Sequence, residues 1–162
     1  MAKVGLGGGC HWCTEAVFQS LRGVADVAQG FIAPNAQLNA FSEAVVVCFD
    51  EQTITLEHLI FIHLHTHKST KNHSMRAKYR SAIYVFDAST QERATQALIK
   101  AQSDFKEKLI TKVVPFGRFK YSDERFHNYY RANPNKPFCE SYISPKLAML
   151  KRKFSRYYQD VS

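Results

Sequence analysis

The sequence predicts an α+β fold: a single-sheet core of the ferredoxin-like (split βαβ) kind, with helices packed on it and an extra C-terminal helix. Three observations predict it. Apolar periodicity alternates between strand-like and helix-like in the order β-α-β-β-α-β across residues 3–86. The chain has 162 residues, 45% of them apolar, which suits one domain with a real core, so residues 1–162 are read as a single domain. A last amphipathic segment behind Pro145 lies outside the repeating pattern.

Each element has its own signal. Residues 3–8 form a short strand, and the glycines at 7–9 let the chain turn sharply. Residues 11–21 are helical, with Val17, Phe18 and Leu21 at three- and four-residue spacing, and Gly23 stops them. Val24 to Ile32 is extended and ends at Ala33-Pro34-Asn35. Glu43 to Phe49 is rich in β-branched residues and reads as a buried strand, with Cys48 as packing among its valines. Thr55 caps a helix to His65. Residues 68–78 form a polar loop, residues 81–86 a strand, and Ser89 or Thr90 caps a helix to about Lys108. Val113 to Phe119 is extended, with Pro115 pointing to a sheet edge. Residues 123–131 form a short helix. Ser144-Pro145 opens the last one, to about Tyr158, whose Lys146, Lys151, Arg152, Lys153 and Arg156 are read as a solvated basic side.

Composition bounds the function. No apolar run approaches the ~20 residues of a membrane span, and no signal-peptide core follows Met1, so a cytoplasmic protein is expected. The net charge of +8 favours acidic partners. No helix-turn-helix, zinc-finger or RNA-binding motif accompanies it, which sets nucleic acid aside as a partner. The four cysteines are Cys10, Cys13, Cys48 and Cys139; in a reducing compartment they read as catalytic or packed rather than as structural disulfides.

Gly9-Cys10-His11-Trp12-Cys13 stands where the first strand passes into the first helix. A thiol at a helix N-terminus faces unpaired amides and the positive end of the dipole, which stabilise a thiolate. Cys13 is one turn on, at a Cβ separation of about 5–6 Å, so pairing with Cys10 requires the first turn to loosen. The pair therefore reads as redox-active, and a buried or metal-bound pair is the rival reading.

This segment, Gly9 to Phe18 followed by Gly23-Val24, resembles the active-site segment of the A-type peptide methionine sulfoxide reductases. Gly30-Phe31, the strand Glu43 to Asp50 and Tyr79-Arg80-Ser81-Ala82-Ile83-Tyr84 are similar to further family patches, in order. Weaker agreement comes at Glu124, His127, Asn133-Pro134 and Cys139. The resemblance implies reduction of methionine S-sulfoxide, free or in oxidised proteins. It implies that Cys10 attacks the sulfoxide sulfur, Glu43 protonates the oxygen, Tyr79 hydrogen-bonds it, and Trp12 packs on the methyl. Cys10 is left as a sulfenic acid, which a second thiol resolves. Cys13, matching the family's Cys-x-x-Cys variants, is the preferred resolving thiol, and Cys139 is the alternative. No cofactor or metal is implied, only an external dithiol such as thioredoxin. Partial burial of Glu43 among aliphatics would keep it protonated. Taken alone, Glu43 reads as a strand-end charge, and Tyr79 and Trp12 as packing aromatics.

The chain also departs from the family pattern. His11 replaces the phenylalanine that helps enclose the methyl, giving a more polar cage whose charge would vary near pH 6–7. The loop between Phe31 and Glu43 is short and lacks the family's tyrosine. Ser74 replaces an aspartate that orients the substrate backbone. His63, His65, His67 and His73 crowd the segment before Tyr79, and His63 and His67 share a helix face. Two other functions fit parts of the pattern: a general C-x-x-C thiol-disulfide oxidoreductase, and a non-catalytic metal- or sulfoxide-binding relative.

Overall fold

A computed structural model describes residues 1–159. It is an α+β structure with one sheet. The strands are β1 (Ala2–Gly7), β2 (Val24–Pro34), β3 (Ser42–Phe49), β4 (Ala82–Val85) and β5 (Lys112–Tyr121). The helices are α1 (His11–Gln19), α2 (Leu56–Thr66), α3 (Ala88–Ala101), α4 (Tyr129–Ala132) and α5 (Ser144–Lys153).

The sheet is not open. Its order is β1-β3-β2-β5-β4, closed into a barrel because β4 also pairs with β1. Every pair is antiparallel except β4 with β5, which run parallel across the α3 crossover. Pro115 therefore lies at no edge. It faces Val85, the last residue of the four-residue β4, where a missing N–H costs little, while its carbonyl accepts from Asn35 N at 3.0 Å.

Period-two alternation divides the strands between two apolar regions. Ile32, Ala44, Ala82 and Tyr84 fill the barrel, flanked by Val46, Val114, Phe116 and Phe119. Val4, Leu6, Val45, Val47, Ile83 and Val85 face outward under α1, α2 and α3. Cys48 is half-buried on the face opposite Val45 and Val47, so it is not packed among those valines.

Helix ends follow side-chain chemistry. Thr55 caps α2 by accepting from His58 N, and Asp87, rather than Ser89 or Thr90, caps α3 by accepting from Thr90 N at 2.7 Å. α3 stops at Ala101, short of Lys108, in a 3₁₀ turn. The expected 123–131 helix is broken at Asn128, whose φ of 56° is left-handed. α5 ends at Lys153. Beyond it, Tyr157 O accepts from Arg22 N, and Gln159 N donates to Ser20 O, pinning the tail to the end of α1.

Candidate active site

Cys10 is the N-cap residue of α1. The Cys13 thiol and the backbone N–H groups of Trp12 and Cys13 lie beside its sulfur. Together these hold its pKa below the ordinary thiol value, against burial and the Glu43 charge. The neighbouring Cys10 sulfur, with burial, pushes Cys13 well above the ordinary thiol range. Of the two thiols, Cys10 is thus the readier to ionise. Gly8 makes the approach to Cys10 feasible: its φ is +149°, and a Cβ there would lie 2.5 Å from the His67 ring.

Cys10, Cys13 and Tyr79 line one cavity of about 410 Å³, together with Met75, Phe138 and Lys146. Glu43 is buried beside this cavity, not in its wall. Its Oε1 accepts from His11 N at 3.1 Å, and its Oε2 lies 3.6 Å from Lys78 Nζ. The Lys78 ammonium also sits 5.1 Å from the centre of the Tyr79 ring, and hydrogen bonding to Tyr79, with smaller help from Glu43, raises its pKa. Lys78 thereby links the two groups that sequence placed 36 residues apart. Ser42 and Glu43 tie the same stretch by backbone geometry, since Glu43 N donates to Lys78 O at 2.9 Å and Ser42 Oγ donates to it at 2.8 Å.

His11 is buried under Phe31, ring centroids 5.2 Å apart, and its Nδ1 is 2.7 Å from Gly30 O. Burial lowers its pKa, so the charge change expected near pH 6–7 is displaced downward. Trp12 does not face the cavity. Tyr129 stacks on it at 4.1 Å, and Phe126 and Phe138 pack on it at 5.1 Å each. Ser74 is exposed and lies outside the cavity wall, although His73 and Met75 on either side belong to it. Cys139 is fully buried in the wide turn Cys139–Ile143 before α5, in the same apolar cluster as Cys13.

Two features escaped sequence reading. Lys146 is not on a solvated face: it is half-buried, donates to Thr66 O and lines the thiol cavity, and burial lowers its pKa. Arg76 spends its guanidinium on the carbonyls of Lys68, Lys71, Gly8 and Tyr79, which fixes the loop carrying Tyr79. Neither sits in a recognisable motif. The histidines are occupied differently from a metal set. His63 Nε2 meets Gly7 O at 2.7 Å, His67 Nε2 meets Ser81 Oγ at 2.8 Å, and His65 stacks on Phe105. Among the described residues no three His, Cys, Asp or Glu side chains gather as metal ligands.

Comparison with known proteins decides the family. A family model described as "Peptide methionine sulfoxide reductase" matches residues 2–158. The chain belongs to that family. As a member of it, the chain is an oxidoreductase acting on methionine sulfoxide. Among curated relatives, peptide methionine sulfoxide reductase MsrA 1 of Rhodopirellula baltica is 32% identical over 96% of this chain and 86% of its own length. MsrA of Acinetobacter baumannii strain SDF is 31% identical over 99% of both. The reduced form of Mxr1 from Saccharomyces cerevisiae shares the fold with a TM-score of 0.77 at 19% identity, over 87% of this chain and 90% of that one. Methionine sulfoxide reductase A of Corynebacterium diphtheriae gives a TM-score of 0.72 at 20% identity, over 83% of this chain and 76% of that one. Here Lys78 stands between Glu43 and Tyr79, and the residue after Cys10 is a buried imidazole.

Proposed function

We propose that this chain reduces methionine S-sulfoxide, free or in oxidised proteins, with Cys10 as nucleophile. The observation that carries it is Cys10 at a helix N-terminus, with the Cys13 thiol one turn on, in a cavity shared with Tyr79. The thiolate attacks the sulfoxide sulfur. Glu43 supplies a proton to the oxygen and Tyr79 donates a hydrogen bond to it, because a sulfoxide oxygen leaves poorly unless protonated. Methionine departs and the oxygen ends on Cys10 as a sulfenic acid. Cys13 then displaces it as water, giving a Cys10–Cys13 disulfide, with Cys139 as the alternative partner. His11, Trp12 and Ser74, which the resemblance offers as substrate-side residues, stand outside the cavity wall, so the methyl side of the substrate meets Met75 and Phe138.

The reductant is an external dithiol of the thioredoxin kind, and no cofactor takes part. The crystal structure of Mxr1 in complex with Trx2, which shares this fold at a TM-score of 0.64, supports that partner. We place the reaction in the cytoplasm. Among the described residues no helix is long and apolar enough to cross a membrane. The order β4-β1-β3-β2, with each connecting helix spanning one intervening strand, supports reading the core as ferredoxin-like with β5 as a closing addition.

The test is dithiothreitol-driven reduction of each epimer of a methionine sulfoxide peptide. Turnover is expected for the S-epimer alone; its absence, with insulin disulfide reduction intact, would make the chain a general thiol-disulfide oxidoreductase. Glu43→Gln is expected to lower turnover about 10²-fold or more, the range of general acid catalysis. Mass spectrometry of the oxidised protein is expected to show Cys10–Cys13; a Cys10–Cys139 bond with Cys13 free would assign the resolving role to Cys139.

A further inference from the structure

The ring of His11 has two nitrogens with different obligations. Nδ1 lies 2.7 Å from Gly30 O. A carbonyl oxygen only accepts, so Nδ1 must carry a proton and donate. In a neutral imidazole that leaves Nε2 bare, and Nε2 lies 3.5 Å from Glu43 Oε1. A bare nitrogen facing a carboxylate oxygen sets lone pair against lone pair, with both side chains more than nine-tenths buried. The arrangement is favourable only with a proton between them, carried either by Glu43 or by His11. The backbone N–H of His11 points at the same oxygen at 3.1 Å, and Lys78 Nζ stands 3.6 Å from the other one, so the carboxyl is anchored on both sides.

We propose that His11 is a positioning residue that holds one proton between its Nε2 and Glu43, keeping that carboxyl loaded for protonation of the sulfoxide oxygen. The proposal rests on the reading of Glu43 as the acid. When the proton moves to the oxygen, the pair is left with a carboxylate opposing the bare Nε2. That state is disfavoured until a proton is recovered from solvent, which returns the site to its loaded form. Burial disfavours a full charge on the imidazole, which keeps the proton on the Glu43 side of the pair. Charged and titratable groups facing the pair are Cys10, Lys78 and His127, and Lys120 reaches over the Phe31 ring that covers His11.

Two measurements test this. The first needs no turnover: ¹⁵N correlation spectra of histidine-labelled, reduced wild-type protein between pH 5.5 and 8. Nδ1 of His11 is expected to be protonated throughout, and Nε2 to be shifted away from a free pyridine-like nitrogen. Glu43→Leu should abolish that Nε2 shift. A neutral ring protonated on Nε2 instead, or an Nε2 unaffected by Glu43→Leu, overturns the proposal. The second is the pH profile of single-turnover methionine release, without reductant, in His11→Phe and His11→Gln. Both variants should approach the wild-type rate near pH 5.5. At pH 8, His11→Phe should fall about tenfold below wild type, a displacement of one pH unit or more, while His11→Gln, whose amide oxygen can still accept from the protonated Glu43 carboxyl, loses less. Profiles parallel to wild type at every pH overturn the proposal. Full single-turnover activity of Glu43→Gln would instead remove the acid reading on which the proposal stands, an outcome distinct from either spectrum.

Discussion

Lys146 illustrates how a single side chain escapes a sequence pattern. By composition it belongs to the basic side of the last helix, yet its neighbours Leu147 and Leu150 are buried and pull the start of α5 onto the domain. Its ammonium reaches the thiol cavity over Thr66 O, and either thiol, once ionised, counters the lowering that burial imposes on its pKa. In return it favours ionisation of Cys13, the thiol that the neighbouring Cys10 and burial push upward. Lys146→Met is therefore expected to slow formation of the Cys10–Cys13 disulfide about tenfold, one pKa unit of thiolate, with the first methionine released at the normal rate. Lys146→Arg should recover part of the loss. Quenched single-turnover samples analysed by mass spectrometry check it, and an unaltered disulfide rate would remove Lys146 from the resolving step. Cys10 was legible at this scale, because a thiol behind three glycines and ahead of a helical pattern has few other uses. Lys78 was not, since its value lies in spanning Glu43 and Tyr79, and nothing in the chain states that these two meet.

At the scale of elements, alternation and caps place most boundaries within a few residues, because those signals are local. The cap of α3 moved to Asp87 because its carboxylate reaches the N–H of Thr90, and Asp87→Ala is expected to cost about 1 kcal/mol of unfolding free energy with no change in activity. Chemical denaturation of the variant beside wild type measures it; a cost near zero would mean that α3 is held by packing alone. β5 was legible as an extended segment, but its place was not. Its proline suggested an edge, whereas pairing with β2 and β4 closed the barrel. Gly30 marks that closure: a Cβ there would stand 2.2 Å from Lys120 O. Gly30→Ala should push β5 away from β2 and disturb Gly30 O, the acceptor of His11, so both stability and turnover should fall. Unaltered thermal unfolding and turnover would show that the strands can part without cost.

For the molecule as a whole, acid sensitivity follows from its buried histidines. Burial takes His63 from an ordinary 6.5 down to about 4, against the opposing pull of the Gly7 carbonyl. The unfolded chain then binds the extra proton between these values. Stability is complete above pH 6.5 and declines as pH falls toward 4, by up to about 3 kcal/mol from this residue alone. His67 shifts in the same direction, also chiefly by burial. Urea midpoints should drop between pH 7 and 4.5, and His63→Gln should flatten the decline. A midpoint constant over that range would contradict a neutral buried pair.

The sequence by itself determined the α+β class, the order of the elements, the thiol at the first strand-helix junction and the family resemblance, because each is written in residues close together in the chain. Only the tertiary structure decided the rest. It closed the sheet, turned Trp12 under Tyr129, brought Lys78 between Glu43 and Tyr79, and set the His11 ring between Gly30 and Glu43. Apart from Lys78 with its neighbour Tyr79, those are contacts between residues 19 to 117 positions apart. Their energies depend on burial and on the geometry of donors and acceptors, neither of which a linear pattern carries.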